Sequence, residues 1–369
     1  MSSDVIVVIV VATALAFDFT NGFHDTANVV ATSISTRAMP PRLAVGYASA
    51  LNFVGAFISL EVAATVANDV IQADLVTPLM VFGGLIGAIA WNLITWYFGL
   101  PSSSSHALIG GMIGAAFAAE GANAVLAEGV LGKVMIPALV APLLAFATAG
   151  LAILLIYRIV GRQRPGPVGA GFRAGQVVSG GLLALAHGTN DAQKTMGVIT
   201  LALVANGSIS QEHFHVPDWV VVSAASAIAL GTYAGGWRII KTMGSRIHKM
   251  DSAQGFAAQG AGAAVILASS HVGFPLSTTH TISGAVIGSG AAKRLSAVRW
   301  GVAGNIVVAW LLTLPAAASI GAVTYGITRI FGTGAVGPVV VSVLILIGAA
   351  ALFARRAQRG PAVTAAETG

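Results

Sequence analysis

Residues 99–114 read GLPSSSSHALIGGMIG, and residues 273–288 read GFPLSTTHTISGAVIG. In both stretches a proline and a run of hydroxyl side chains that ends in histidine stand between long apolar segments. Aligned without gaps, the two stretches share identical residues at Gly99/Gly273, Pro101/Pro275, Ser103/Ser277, His106/His280, Gly110/Gly284, Ile113/Ile287 and Gly114/Gly288. The same polar insert therefore occurs once in each half of the chain, which predicts an internal duplication.

The composition is typical of a membrane protein. Of the 369 residues, 56% are hydrophobic and only 9% are charged, and the mean hydropathy is +0.85. Soluble proteins have about 25% charged residues. The apolar runs here are long enough to cross a bilayer, so we predict an all-α polytopic membrane protein of the cell (inner or plasma) membrane with about 10–12 membrane segments. The chain has no cysteine, which excludes disulfides and thiol chemistry.

The chain divides into two similar halves joined by a basic segment. We assign residues 1–157 to a first repeat, 158–174 to a cytoplasmic linker, 175–354 to a second repeat with a terminal span, and 355–369 to a cytoplasmic tail. In each repeat we expect a long helix that is broken at a polar stretch. We also expect one hairpin in each repeat to carry the proline and the hydroxyls.

The distribution of lysine and arginine predicts the orientation in the membrane. If each proline-hydroxyl insert is the tip of a hairpin that enters and leaves on one side, all basic residues except Lys133, Lys194 and Arg329 fall on the same side. Basic loops face the cytoplasm, so the N-terminus lies outside and the C-terminus inside. The two halves then have the inverted topology that recurs in secondary transporters. Because topology explains the net charge of +6, the charge does not indicate a nucleic-acid partner.

The hydroxyl runs indicate a site for an oxyanion. Proline is favoured in the first turn of a helix, so Pro101 and Pro275 predict helix starts at which the serines act as caps. Hydroxyl donors, free backbone N–H groups and the positive end of the helix dipole together favour an anion. The alternative is that these side chains only bond neighbouring helices, as Ser and Thr commonly do in membranes. Duplication in opposite orientation favours the binding interpretation.

Ionisable and amide side chains within the apolar spans form two helical stripes. The first stripe has the spacing i, i+3, i+7, i+10, which places its members on one face of a helix; the second resembles it. The stripes are Asp18, Asn21, Asp25 and Asn28, and His187, Asn190, Asp191 and Lys194. Such residues are costly in a bilayer and are candidates for a functional site. The Asn21-Gly22 step suggests that the first helix opens there. Because no metal-ligand spacing is present, we predict neither a metal site nor a cofactor.

Four stretches carry a resemblance to a known family. They are residues 17–28 (FDFTNGFHDTAN), 91–106 (WNLITWYFGLPSSSSH), 187–194 (HGTNDAQK) and 275–280 (PLSTTH). In this combination the chain resembles the inorganic phosphate transporter (PiT) family, and most of all its bacterial low-affinity, proton-coupled phosphate permeases. The resemblance implies inverted repeats, a homodimer in the lipid bilayer, and inorganic phosphate as the substrate. It also implies a divalent metal that can accompany the phosphate.

The resemblance further implies the site residues. Those that match substrate-binding positions are Ser103, Ser104, Ser105, Ser277, Thr278, Thr279, Asn21 and Asn190. Those that match coupling-ion positions are Asp18, Asp25, Asn28, Asp191 and Lys194. The chain departs from the sodium-coupled members at Lys194, where they carry asparagine, and at Asn52, which falls where they carry glutamate. Because a fixed ammonium at Lys194 can replace a sodium ion, we expect protons to drive transport.

Several other functions stay open on the sequence alone. The chain can be a sodium-coupled phosphate symporter or a sulfate permease of the same family, because hydroxyls bind either tetrahedral oxyanion. A passive anion channel is a further alternative. A serine hydrolase within the membrane is disfavoured, since the mirrored duplication has no catalytic rationale. We therefore expect no enzymatic activity and no catalytic residue.

Overall fold

The computed structural model describes residues 2–210 and 214–358, and over these ranges the protein is helical with no strand. The α-helices in chain order are α1 (Ser2–Ser35), α2 (Pro41–Gly55), α3 (Glu61–Asn68), α4 (Pro78–Phe98), α5 (Ser104–Glu120), α6 (Ala127–Gly129), α7 (Ile136–Val160), α8 (Pro165–Ala205), α9 (Asp218–Ala234), α10 (Trp237–Lys241), α11 (Ser252–His271), α12 (Thr278–Lys293), α13 (Trp300–Ile330) and α14 (Val336–Gln358). The predicted all-α class is confirmed. Of the predicted tail, residues 359–369 lie outside the described residues.

Several helices have the length and apolarity of membrane spans. By these two criteria, 4 described helices qualify, namely Asp4–Ser35, Pro78–Phe98, Ala127–Val160 and Trp300–Ile330. The bent pair Asp218–Ala234 and Trp237–Arg246, with an angle of 59°, would make a further span. Helix α8 is long enough at 41 residues, but polar side chains occupy its middle. The number of about 10–12 membrane segments therefore stays a prediction.

The expected breaks do not occur in the described parts of the two long helices. Helix α1 runs unbroken through Gly22, and α8 runs unbroken through Gly188. The prediction of broken helices is therefore wrong. These glycines permit close helix packing instead, because a Cβ on Gly22 would collide with the backbone at Ile228 of α9. A Cβ on Gly188 would likewise collide with the backbone at Asn52 of α2.

The segment predicted as a linker is mostly helical. Helix α7 ends at Val160 and α8 begins at Pro165, so only residues 161–164 lie between them. Proline at the first position of a helix loses no hydrogen bond, because the N–H there has no partner within the helix. Pro165 in the predicted linker therefore starts a helix. The division of the chain into two repeats stays a prediction.

The two proline-hydroxyl inserts form turns between paired helices, α4 with α5 and α11 with α12. Each turn begins at a glycine with a left-handed backbone, Gly99 at φ 66° and Gly273 at φ 76°. Ser103 and Ser277 are the N-caps of α5 and α12, as the sequence predicts. The prolines lie in the turns and not in the first helical turn, because each helix starts three residues later.

Each hairpin packs on a long helix from the other half of the chain. Helix α5 packs on α13, and α12 packs on α7. Two of the three glycine positions that the motifs share make these contacts possible, since a Cβ there would meet a backbone atom of the facing helix. The pairs are Gly110 with Leu314, Gly114 with Ala318, Gly284 with Pro142, and Gly288 with Phe146. The shared glycines thus hold both hairpins in place.

The close packing of α8 on α2 at Gly188 predicts different outcomes for two glycine-to-alanine changes. Gly188→Ala should lower the free energy of unfolding by about 1–3 kcal/mol, because the added methyl overpacks the contact with α2. Gly260→Ala in α11 is the control, because a Cβ there meets nothing within 4 Å. It should be neutral or stabilise by about 0.4–1 kcal/mol. The measurement is the apparent melting temperature in detergent, and equal values for both variants would contradict the packing.

Candidate functional site

The two hairpins meet the middles of α1 and α8 inside the protein. The side chains predicted to form the site are at most 3% exposed. They are Asp18, Asn21, Asp25, Asn28, Ser103, Ser104, Ser105, Asn190, Asp191, Lys194, Ser277, Thr278 and Thr279. Hydrogen bonds join most of them into two clusters, one around Asp25 and one around Asp191. Water is therefore largely excluded from these groups, which strengthens the electrostatic interactions among them.

The first cluster joins Asp25 of α1 to both hairpins. Its Oδ1 accepts a hydrogen bond from the Ser104 hydroxyl at 3.2 Å and from the Thr279 hydroxyl at 3.4 Å. His24 Nδ1 lies 2.7 Å from the same oxygen. The Asn28 amide donates to the Thr279 hydroxyl at 2.9 Å. A single carboxylate thus binds hydroxyls from both sequence motifs.

The second cluster contains a buried ion pair between Asp191 and Lys194 of α8. The Thr278 hydroxyl donates to Asp191 Oδ2 at 3.0 Å. Lys194 Nζ also donates to the Ser105 hydroxyl at 2.6 Å and to the Leu276 carbonyl at 2.7 Å. All three donors of the ammonium therefore have acceptors, and they connect α8 to both hairpins.

Ser103 and Ser277 occupy a different position from the other hydroxyls. Each side chain accepts a hydrogen bond from the backbone N–H of the following histidine, His106 at 3.1 Å and His280 at 3.2 Å. The two serines thereby define the first turns of α5 and α12. As N-caps they stabilise the first helical turns, and these turns carry Ser104, Ser105, Thr278 and Thr279.

Several buried oxygens near these clusters lack hydrogen bonds of regular geometry. They include both carboxylate oxygens of Asp18 and the Oδ1 atoms of Asn21 and Asn190. The side chains of Thr195 and Asn21 approach the Asp18 carboxylate, and the Asn190 amide donates to Ser270 at 2.9 Å. An unpaired buried carboxylate is costly. Asp18 is therefore suited to take up a proton or a cation.

The structure also brings together a group that the sequence did not predict. Ligand atoms of Asp25, His187 and Asp191 lie within 4.8 Å of one another, and all three residues are buried. Such a group can hold a metal ion, although Lys194 competes for Asp191. His187 and Asp191 are one helical turn apart on α8, but Asp25 comes from α1, so spacing along the chain does not indicate the full group. A second unpredicted contact orients the histidine, since His187 Nδ1 lies 3.3 Å from Asn52 Oδ1.

The histidines that end the two motifs touch each other. The ring centroids of His106 and His280 are 4.7 Å apart, and the His280 ring stacks on Trp310 at 4.1 Å. The Trp310 indole N–H also donates to the Pro101 carbonyl at 3.1 Å. These contacts tie the first turn of α5 to that of α12. The equivalent position of the two histidines was visible in the sequence, but their contact was not.

Comparison with known proteins identifies the family. The sequence model of the phosphate transporter family matches residues 21–321. A probable low-affinity inorganic phosphate transporter of Mycobacterium leprae is 53% identical over 350 residues, which are 95% of this chain and 84% of the relative. A protein of the same name from Bacillus subtilis is 42% identical over 323 residues, which are 87% of this chain and 96% of the relative.

A solved structure shares the fold. The sodium-dependent phosphate transporter superposes with a TM-score of 0.77 at 24% sequence identity, covering 88% of this chain and 99% of that one. The family and these relatives are transporters, which confirms that the chain is not an enzyme. The resemblance carried by the four sequence motifs is also confirmed. The chain belongs to the phosphate transporter family.

Proposed function

We propose that the protein is a secondary active symporter that imports inorganic phosphate with protons. A site near the membrane midplane, between the two repeats, would open alternately to either side. The names of the relatives support the substrate. The observation that carries the proposal is the convergence of hydroxyls from both hairpins on Asp25 and Asp191, in a space closed to water.

The hydroxyls and the helix starts supply the donors that an oxyanion needs. Ser104, Ser105, Thr278 and Thr279 all lie in the first turn of α5 or α12. The start of a helix offers free N–H groups and a partial positive charge to an anion. Lys194 adds a full positive charge beside Ser105. In the proposed complex, phosphate takes over hydroxyl donors that now bind the two aspartates.

The aspartates favour phosphate over sulfate. Hydrogen phosphate keeps a proton that it can donate to whichever of Asp25 and Asp191 stays ionised, whereas sulfate has none to donate at neutral pH. A buried acceptor that faces an anion without a donor is costly. Such a site therefore disfavours sulfate, which is the alternative substrate. Competition between the two anions for uptake distinguishes them.

Protons are the proposed coupling ion. Lys194 places a fixed positive charge on the carboxylate of Asp191, which leaves little room for a sodium ion there. Asp25, whose partner Thr279 also accepts from Asn28, and Asp18 with its unpaired oxygens are the further candidates for proton uptake. Sodium stays the alternative, because the solved structure with the same fold is named as sodium-dependent.

A divalent metal fits the proposal as part of the substrate. The ligand atoms of Asp25, His187 and Asp191 face one another within 4.8 Å. They are suited to contact the metal of a neutral metal–phosphate complex, in which the metal offsets the charge of the anion. In this proposal the metal is cargo and travels with the phosphate.

The proposed orientation places the N-terminus outside and the C-terminus in the cytoplasm. The positions of the hairpin tips support it. The Gly99 carbonyl accepts a hydrogen bond from Thr242 at 2.8 Å, and Thr242 lies among basic residues, Arg238, Lys241 and Arg246, that fall on the cytoplasmic side. Phe274 in the other tip lies next to Lys133, which is assigned to the outside. The inverted repeats and the homodimer that the family resemblance implies are part of the same proposal.

Removing one hydroxyl should weaken phosphate binding. We expect Thr279→Val to raise the KM for phosphate about ten-fold or more, because a hydrogen bond to a charged group contributes about 1.5–3 kcal/mol. Initial rates of labelled phosphate uptake into proteoliposomes give the KM. Ser226→Ala in α9 is the control, since this exposed hydroxyl only bonds the Val222 carbonyl. An unchanged KM for Thr279→Val would remove Thr279 from the site.

Neutralising Asp191 should abolish driven uptake and leave the fold intact. In Asp191→Asn the ammonium of Lys194 loses its charged partner but keeps Ser105 and the Leu276 carbonyl. We expect no accumulation of phosphate under a proton gradient, and a protein that still folds but melts at a lower temperature than the parent, because Lys194 loses its charged partner. Asp74→Asn, at an exposed aspartate, is the matched control. Accumulation by Asp191→Asn would exclude Asp191 from coupling.

The ion and the substrate can be separated in one set of uptake measurements. We expect a pH gradient, acidic outside, to drive phosphate accumulation in proteoliposomes without sodium. Added sodium at constant pH should leave the rate unchanged, and an equal concentration of sulfate should not compete. A steep dependence on sodium would replace the proton proposal with sodium coupling. Strong competition by sulfate would overturn the assigned selectivity.

A further inference from the structure

A largely apolar vestibule that carries three charged side chains lies next to the tip of the second hairpin, separate from the buried site. Its volume is about 570 Å³. The residues that line it are Asp69, Leu126, Glu128, Gly129, Gly132, Lys133 and Phe274. Lys133 is one of the few basic residues that do not fall on the basic side of the protein. Lys133 therefore places a positive charge beside two acidic side chains, Asp69 and Glu128, on the side from which we propose that phosphate enters.

The Phe274 ring positions the ammonium of Lys133, which has no polar partner in the part of the chain that the structure describes. The ammonium lies 4.6 Å from the centroid of the Phe274 ring. Among the described residues it makes neither a hydrogen bond nor an ion pair, even with Asp69 and Glu128 of the same vestibule. A contact with a ring face leaves the three N–H donors of a lysine free for other acceptors. Lys133 can therefore donate to an oxyanion in the vestibule.

Phe274 connects this vestibule to the buried site. Its carbonyl accepts hydrogen bonds from Ser269 at 3.1 Å and from the Asn190 amide at 3.5 Å. Two residues further along, the Leu276 carbonyl accepts from Lys194 at 2.7 Å. The short segment 274–276 thus has Lys133 on one side and the predicted site residues on the other. Displacement of this segment would open a path from the vestibule to the buried site.

We propose that Lys133 forms a receiving site for inorganic phosphate at the outer mouth of the transport pathway. The inference rests on the proposed function. The anion binds the ammonium of Lys133 above Phe274, and then passes segment 274–276 to reach Lys194 and the hydroxyls. Asp69 and Glu128 act against this capture, because they add negative charge to the same vestibule. The ammonium itself attracts an oppositely charged substrate at this open mouth of the pathway.

Because Lys133 and Glu128 carry opposite charges, substitutions at these two residues give a test and its matched control. We expect Lys133→Gln to raise the KM for phosphate about three- to ten-fold at low ionic strength, with kcat little changed, because substrate capture weakens. Lys133→Arg should keep the KM of the parent protein, since it keeps the charge. Glu128→Gln should lower the KM, because it removes a repelling charge. Salt should reduce all of these differences, since screening shortens the range of the attraction.

The outcomes separate this inference from the proposed function. The measurement is the initial rate of labelled phosphate uptake into proteoliposomes at several salt concentrations. If the parent protein takes up phosphate and Lys133→Gln has the same KM, the receiving site is wrong and the function stands. A rise in KM for both Lys133→Gln and Glu128→Gln would show a packing role and would also overturn the inference. If the parent protein accumulates no phosphate, the proposed function itself fails.

Discussion

The need to pair one buried lysine shapes the centre of the protein. Lys194 is 1% exposed, and a buried ammonium without partners is strongly destabilising. Its contacts with Asp191, Ser105 and the Leu276 carbonyl fix α8 against the first turn of α5 and against the turn before α12. Asp191 in turn fixes Thr278 at the start of α12. One ion pair thereby sets the distance between the two hairpins at the site.

The remaining contacts between the hairpins and the scaffold repeat in both halves. Ser103 and Ser277 cap equivalent helices, and His106 meets His280. Glycines at equivalent positions pack each hairpin on a long helix of the opposite half. Neither half alone supplies this arrangement, because α5 needs α13 and α12 needs α7. The site is therefore a property of the whole chain, in keeping with a substrate held between two halves.

The sequence predicted those features that depend on local chemistry. Serine caps, hairpins at the proline-hydroxyl inserts and burial of the polar stripes follow from residue type and spacing, and the structure shows each of them. The errors arose where tertiary packing decides. Gly22 and Gly188 indicated breaks, but they are glycines because neighbouring helices approach closely. The group of Asp25, His187 and Asp191 was missed because Asp25 joins His187 and Asp191, which are neighbours on α8, only through the packing of α1 and α8.

The hydrogen bonds at the site suggest how the binding of a proton and the binding of an anion can be coupled although the two ions do not touch. The hydroxyls of Ser104 and Thr278 each have one proton to donate, and both now donate it to an aspartate. In the proposed symport, phosphate needs those same donors. A carboxylate that takes up a proton becomes a weaker acceptor and releases its hydroxyl to the anion. Proton binding therefore favours phosphate binding, and by linkage phosphate binding favours proton binding to the same degree.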